Sequence, residues 1–173
     1  MREVIQKYGI QHVWHFTEKS NCRSIRENGG LCSLRELRQR GVTEFIPGGN
    51  EWSHDADRYK DVDQYIHLAF LDNHPMLYCI KREGRIKEPV WLQIDSSILF
   101  EENVFFTNKV SNANDAILLS SEEARQAIDF EVLFARTDWT DPDIKARRKA
   151  AMKSEILYPK FIHISKIKGW KDG

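Results

Sequence analysis

Three side chains of different chemical type could act together on a glycosidic bond. Glu155 stands where a basic helix, predicted over residues 144–151, runs into a short apolar strand, so we expect its carboxylate to be partly buried. His15 lies at the end of a predicted strand, and Arg58 lies in a long polar segment. A carboxylate can stabilise the positive charge of a ribose that loses a cationic group, and a guanidinium can bind phosphate oxygens. These residues therefore favour cleavage of a glycosidic bond to a cationic leaving group.

Each of the three residues also has an ordinary structural alternative. A half-buried Glu155 is more often an ion-pair partner than a catalyst. His15, between two aromatic residues, could be a core histidine with its hydrogen bonds satisfied, and Arg58 is flanked by acidic residues that could pair with it on the surface. The residues alone leave these alternatives open.

The elements that must position these side chains predict an α+β domain. Alternation over residues 12–16 indicates a strand, Thr17 is placed to cap a helix over 18–28, and Gly29-Gly30 should end that helix. Ser33-Leu34-Arg35-Glu36 is a capping box for a second helix that ends near Gly41. Residues 43–63 are polar without a period and indicate a long loop. Further strands are predicted at 64–70, 76–81, 90–94, 104–107, 155–158 and 161–164, and helices at 121–128 and from Asp141-Pro142 onward. We expect a largely antiparallel sheet in a single domain spanning residues 1–173.

Composition excludes several classes of protein. No apolar run approaches the ~20 residues that cross a bilayer, and the first residues lack a signal region, so we expect a cytoplasmic protein without a membrane partner. Three cysteines without close spacing and six scattered histidines predict neither a disulfide framework nor a metal site. The net charge is zero, but basic residues crowd the early helices and residues 145–153, which permits a basic groove.

Short motifs spread over nearly the whole chain occur in an order that is typical of one family. They are His15-Phe16-Thr17 with Asn21, Gly29-Gly30-Leu31, Ser53-His54 with Arg58, Pro75-Met76-Leu77-Tyr78, Ser111-Asn112-Ala113, Thr137-Asp138-Trp139 with Asp141-Pro142, and Ser154-Glu155-Ile156-Leu157. In this order they resemble the DarT toxins, which ADP-ribosylate DNA bases with NAD as co-substrate. The resemblance implies a compact ADP-ribosyltransferase fold in which two small, mostly antiparallel sheets form an NAD cleft with helices at its flanks.

The resemblance also implies a role for individual residues. Glu155 would be catalytic, and Arg58 would reach either the phosphates of NAD or the reacting base, as a binding and catalytic residue in a segment that covers NAD. The remaining NAD-binding residues would be His15, Phe16 and Thr17 at the nicotinamide ribose and carboxamide, with Asn21 and Ser24 along the rest of the dinucleotide. Leu31 is a further expected NAD-binding residue. Tyr78, which could also simply pack in its predicted strand, is expected to stack on the nicotinamide.

The expected partners are a nucleic acid and an antitoxin. A single strand suits base modification better than a duplex, because reaching a paired base costs a few kcal/mol of unstacking. The basic helix, with Arg147, Arg148 and Lys149 followed by Lys153, is predicted to track the phosphates, with DNA favoured over RNA. By the resemblance, a macrodomain partner would restrain a toxin or phage-defence effector.

Departures from the family pattern leave the acceptor open. Lys153 stands where the family usually has Gln, residues 65–70 replace an aromatic strand, and Asn73-His74 replace Arg-Ser. Thymine, guanine and adenine are therefore all compatible acceptors. The alternatives are transfer to RNA bases, transfer to water as an NAD glycohydrolase, and a non-catalytic nucleic-acid-binding module that kept the fold.

Overall fold

The structure, a computed structural model, describes residues 1–48 and 51–173, with the side chains of residues 51–53 left out. Its helices are α1 (Arg2–Tyr8), α2 (Asn21–Glu27), α3 (Leu34–Gln39), α4 (Glu51–Tyr59), α5 (Pro75–Arg82), α6 (Ser121–Ala127), α7 (Phe130–Phe134) and α8 (Pro142–Ala151). Its strands are β1 (His12–Glu18), β2 (Gly30–Cys32), β3 (Tyr65–Ala69), β4 (Pro89–Asp95), β5 (Phe105–Thr107), β6 (Glu155–Pro159), β7 (Phe161–His163) and β8 (Ile167–Asp172). Short 3₁₀ turns lie at Ser96–Phe100 and Ile164–Lys166.

The strands form a large antiparallel sheet and a small one. Within the described residues, the large sheet has the order β5-β6-β3-β1-β4-β8, and β2 pairs with β7 in the small sheet. This arrangement confirms the predicted α+β class with two mostly antiparallel sheets, one of six strands and one of two. Gly30 permits the close approach of β2 and β7, because a Cβ atom there would lie 2.1 Å from the carbonyl oxygen of Ile162.

The order of the large sheet places β3 between the strands that carry His15 and Glu155. Over their described lengths, β1 and β3 share a single register pair, Trp14 opposite Ala69, and Ala69 also pairs with Glu155 of β6. Neighbouring strands lie about 4.8 Å apart, so β1 and β6 are separated by about 10 Å at this level. Beyond the pair at Trp14, β1 and β3 diverge and leave a split in the sheet.

One apolar cluster supports the sheet from the side of the helices. Strand residues with 0 to 2% exposure, such as Leu68, Leu92 and Ile156, pack in the same cluster as Ala124 of α6 and Val132 of α7. Burying side chains of this size stabilises the fold by about 1.5 to 3 kcal/mol each. The strands that carry the site therefore rest on a rigid base.

Several helix ends follow the predicted capping. Asp141 accepts hydrogen bonds from the amides of Asp143 (2.8 Å) and Ile144 (3.4 Å), with Pro142 in the first turn of α8. Ser33 accepts from the Glu36 amide at 3.2 Å at the start of α3, which is one half of the predicted capping box. The other half of that box is replaced, because the Ser33 amide donates to the carbonyl of Lys160 and the Glu36 carboxylate pairs with Arg40. The starts of these helices could be predicted from the sequence because a cap involves only residues within one turn.

Some predicted boundaries and element types are wrong. The helix predicted from Glu18 begins at Asn21, because Thr17 and Glu18 complete β1, although Gly29 ends it as predicted with φ 75°. The loop predicted over 43–63 contains α4, and its Gly49 lies outside the described residues.

The strand predicted over 76–81 is the helix α5. His74 caps it by accepting from the Met76 amide at 3.3 Å, and Pro75 fills its first turn. Leu77 and Ile80, three residues apart, are its buried positions, a helical spacing that the short apolar run concealed.

In the described part of the chain, no helix is both long and apolar enough to cross a membrane, and no group of acidic, histidine and cysteine side chains could hold a metal ion.

Candidate active site

A cleft of about 300 Å³ opens where β1 and β3 diverge. Its walls come from β1, β2, β3, the start of β6, α2, α3, α4, α5, the segment 45–48 and the loop 110–112. The predicted NAD-binding residues that line it are His15, Phe16, Thr17, Asn21, Ser24 and Leu31, and Glu155 lines it too. The fold therefore gathers six of the eight predicted ligand-binding residues and the predicted catalytic carboxylate around one cavity.

Glu155 is buried at the inner end of the cleft, with 6% of its side chain exposed. Its Oε2 atom accepts a hydrogen bond from the Ser111 amide at 3.0 Å and lies 3.4 Å from Nδ1 of His67. Burial raises the pKa of Glu155, but the hydrogen bond and charge of His67 more than offset this effect, so the pKa lies below its usual 4.5. A fixed negative charge therefore faces the cleft at neutral pH.

His67 of β3 is the cation that balances this charge. Burial lowers the pKa of His67, but the hydrogen bond and charge of Glu155, followed by the charge of Asp57, raise it from the usual 6.5 to about 9. The ring also contacts Oγ of Ser111 at 3.1 Å and the carbonyl oxygen of Val62 at 3.3 Å. Glu155 is thus both an ion-pair partner within the fold and a residue of the cleft, so its structural role does not exclude the predicted catalytic role.

His15 of β1 is neutral and has a defined tautomer. Its Nδ1 atom lies 2.9 Å from the main-chain carbonyl oxygen of His67, and because a carbonyl only accepts, Nδ1 carries the proton. Burial lowers the pKa of His15 to about 4, while the hydrogen bond to His67 opposes the change and the charge of His67 reinforces it. The unprotonated Nε2 remains a hydrogen-bond acceptor for a ligand hydroxyl or amide.

The segment 45–48 closes one side of the cleft and is tied to the walls. The Asn21 amide donates to the carbonyl of Ile46 at 2.7 Å and accepts from the Ile46 amide at 2.8 Å. Asn21 also donates to Oγ1 of Thr17 at 2.9 Å, and Arg85 donates to the carbonyl of Gly48. Both ends of the Asn21 side chain are therefore occupied by the protein, so its direct part is to position the covering segment.

The family model for DarT, described as ssDNA thymidine ADP-ribosyltransferase, matches residues 14–169. The chain belongs to the DarT family. This match confirms the enzyme class that the motif order predicted. The search of curated proteins found no match for the chain.

Solved DarT structures share the fold at low sequence identity. Thermus sp. 2.9 DarT in complex with ADP-ribosylated ssDNA is 14% identical with a TM-score of 0.68, and the match covers 94% of this chain and 81% of that one. The same protein in complex with NAD+ is 16% identical with a TM-score of 0.61, over 93% and 81%. Thermosipho africanus DarTG in complex with ADP-ribose is 16% identical with a TM-score of 0.70, over 92% of this chain and 43% of that one. NAD, the expected co-substrate, is thus the ligand of a DarT structure with this fold.

Arg58, the predicted catalytic arginine of the DarT pattern, lies outside the cleft lining. It is on α4 with 54% of its side chain exposed, and it pairs with Asp55 of the same helix. His54 and Asp57 are the α4 side chains that line the cleft, whereas the side chain of Ser53 lies outside the described residues. Reaching a ligand would require Arg58 to leave Asp55, so its role stays a prediction.

Tyr78, predicted to contact NAD, is also outside the cleft lining. It sits on the outer face of α5 with 70% exposure, while Met76 and Ile80 of the same helix line the cavity. The predicted strand would have turned every second residue inward, but a helix of this register turns Tyr78 to solvent. The ligand role predicted for Tyr78 has no geometric support.

Two of the four predicted nucleic-acid-binding residues are engaged within the protein. Arg147 pairs with Asp129 at 2.8 Å and Glu131 at 2.7 Å. Arg148 donates to main-chain carbonyls of α7 and lies 4.3 Å over the ring of Trp139. Lys149 and Lys153 are exposed. All four lie outside the cleft lining, and the two arginines hold α8 against α7.

Sequence reasoning missed the polar groups that surround Glu155. His67 and Asp57 line the cleft with it, and Ser111 was noted only as part of a motif. No signal in the sequence pointed to His67, because its position on the same side of β3 as Ala69, which pairs with Glu155, follows only from the register of β3 and β6. Finding Asp57 needed the orientation of a helix that was not predicted.

Proposed function

We propose that this chain transfers ADP-ribose from NAD to a base of single-stranded DNA, with thymidine as the first acceptor to test. The observation that carries the proposal is that His15, Phe16 and Thr17 of β1 and Glu155 of β6 line one cleft. The family match, described as ssDNA thymidine ADP-ribosyltransferase, supports the acceptor. The NAD+ complex of Thermus DarT supports the donor.

The residues of the cleft fit the chemistry of this transfer. A base nitrogen forms a bond to the ribose C1″ carbon as the bond to nicotinamide breaks, the electron pair stays on the nicotinamide nitrogen, and the proton of the base nitrogen passes to water. The ribose carries positive charge in the transition state, as in glycoside hydrolysis. The ionised Glu155 faces that charge. A preorganised electrostatic contact of this kind lowers the barrier by about 3 to 4 kcal/mol.

The β1 wall suits the nicotinamide end of NAD. Neutral His15 offers an acceptor at Nε2 without adding a positive charge beside the cationic ring. Phe16 offers an aromatic face at the same wall. We assign these two residues, with Thr17, to the nicotinamide ribose and carboxamide, and Ser24 and Leu31 to the remainder of the ligand.

Biological context belongs to the same proposal. The chain would act in the cytoplasm as a toxin or phage-defence effector, restrained by a macrodomain-type antitoxin, as its motif order and its likeness to a DarTG protein suggest. Single-stranded DNA is the preferred partner. Exposed Lys149 and Lys153 are the members of the predicted basic set that remain available to its phosphates.

The test is incubation with NAD and separate acceptors, followed by mass spectrometry. The arms are a single-stranded DNA containing thymidine, the same strand without thymidine, an RNA of matching sequence, and no nucleic acid. We expect release of nicotinamide and a gain of ADP-ribose mass in the thymidine strand. Modification of RNA alone, or nicotinamide release without an acceptor, would replace the proposal with an RNA transferase or a glycohydrolase. Absence of NAD consumption in every arm would contradict it.

A further inference from the structure

The ring of His67 faces a hydrogen-bond acceptor at each nitrogen. Nε2 lies 3.3 Å from the carbonyl oxygen of Val62, and Nδ1 lies 3.4 Å from Oε2 of Glu155 and 3.1 Å from the Ser111 hydroxyl, which can accept as well as donate. A main-chain carbonyl and an ionised carboxylate only accept hydrogen bonds. Each ring nitrogen can donate a hydrogen bond to its neighbouring acceptor only when it carries a proton. A ring that makes both hydrogen bonds is therefore an imidazolium.

The charges on every element around the ring agree with this state. Glu155 of β6 is ionised, and His15 of β1 and His74, before α5, have pKa values lowered first by burial and are neutral at neutral pH. On α4, burial raises the pKa of Asp57, an effect that the charge of His67 opposes. The charges of Asp63 and Lys60 also act on Asp57, and Asp63 is itself paired with Arg35 and Arg38. His67 is thus the cation that faces Glu155 among the described groups.

The hydrogen bonds to Glu155 hold only one side of its carboxylate. In the described part of the chain, both the Ser111 amide and the His67 ring contact Oε2, and Oε1 receives no hydrogen bond. Ser111 also contacts Nδ1 of His67 through its hydroxyl at 3.1 Å, which joins the three groups into one network. This arrangement fixes the carboxylate while leaving one oxygen to a ligand.

We propose that His67, as an imidazolium, is a positioning residue that holds Oε2 of Glu155 and so directs Oε1 toward the ribose of the bound dinucleotide. The inference rests on the proposed function and goes beyond it by naming a residue that acts through Glu155. Loss of the ring proton places a lone pair of Nδ1 opposite the carboxylate and releases this restraint. Displacement of a catalytic group by about 1 Å costs up to about 10²-fold in rate, so the effect falls on kcat.

Two substitutions separate positioning from stability. In His67→Asn the amide nitrogen lies near the place of Nδ1 and keeps a donor that does not titrate, whereas His67→Leu removes the donor. We expect His67→Leu to lower kcat by about 10- to 100-fold with KM for NAD little changed, and His67→Asn to recover most of that loss. His163→Asn, at an exposed histidine of β7 outside the cleft lining, is the matched control and should behave as the wild type.

The pH profile gives a readout that a purely structural role would not move. Because the pKa of His67 is about 9, kcat of the wild type relative to His67→Asn should fall as pH rises through that value. The titration of the acceptor base changes the kcat of both proteins by the same factor, so it cancels in this ratio. Equal kcat in both His67 variants and the wild type at pH 7, or a ratio that is constant with pH, would overturn the inference.

A measurement on the free protein tests this inference independently of the proposed function. Nitrogen NMR of the histidine rings should show His67 with both nitrogens protonated at pH 7.5 and a titration near pH 9. A ring protonated on Nε2 alone, accepting from the Ser111 hydroxyl, would overturn the inference even if the enzyme were active. An inactive enzyme with a doubly protonated His67 would instead contradict the proposed function.

Discussion

Replacement of Glu155 by glutamine tests the central chemical step. The two side chains have nearly the same shape, and a glutamine carbonyl can still accept from the Ser111 amide, which lies 3.0 Å from Oε2 in the present structure. The same carbonyl oxygen, at the place of Oε2, can also accept from a protonated Nδ1 of His67, which contacts Oε2 in the wild type. The variant therefore loses the negative charge of the cleft while keeping its hydrogen bonds, and we expect it to fold.

The expected loss of rate follows from the missing charge. A preorganised electrostatic contact of this kind is worth about 3 to 4 kcal/mol, and each 1.36 kcal/mol is tenfold, so kcat should fall by about 10²- to 10³-fold. The free energy of unfolding should change by about 1 kcal/mol at pH 8, because the charge-assisted hydrogen bond from His67 becomes a bond to a neutral carbonyl. Activity should therefore fall much further than stability.

The assay measures ADP-ribosylated oligonucleotide by mass spectrometry and unfolding by thermal melting. Glu18→Gln is the matched control, since Glu18 is also buried and accepts main-chain hydrogen bonds, from Lys87 at 2.7 Å and Glu88 at 3.1 Å, outside the cleft lining. It should lower stability and keep the rate per folded molecule. A folded Glu155→Gln variant with more than about a tenth of the wild-type rate would refute the electrostatic role of Glu155.

Three further predictions concern stability and ligand affinity. The pKa of His67 is raised on folding, so the contribution of protonated His67 to the stability of the fold is complete below pH 6.5 and is lost as pH rises through about 9. The difference in unfolding free energy between the wild type and His67→Asn should therefore shrink between these pH values in denaturant titrations. Asn21→Ala removes both hydrogen bonds to Ile46, and since the two together are worth about 2 kcal/mol, KM for NAD should rise by up to about 30-fold with kcat nearly unchanged in steady-state kinetics. An equal loss in kcat would show instead that Asn21 acts on the reaction. Gly30→Ala forces a Cβ against the carbonyl of Ile162 and should destabilise the fold by about 1 to 3 kcal/mol in thermal melts, and an unchanged melt would contradict the close approach of β2 and β7.

The sequence alone determined the features that depend on neighbours within a few residues. Capping at Ser33 and Asp141, the glycine stop at Gly29 and the alternation of β1 were all predictable, because each involves one turn or one strand. The order of short motifs was also enough to predict the family and the presence of Glu155 at the start of a strand, which the structure shows as β6.

Only the tertiary structure decided which side chains share the cleft. His67 and Glu155 are 88 residues apart and meet because β3 lies beside β6. The cleft opens because β1 and β3 share a single register pair and diverge beyond it. The same packing turns Asp57 inward and leaves Arg58 and Tyr78 outside the lining. Strand order and the rotation of a helix about its axis are set by the burial of apolar surface across the whole fold, and no local pattern of residues contains that information.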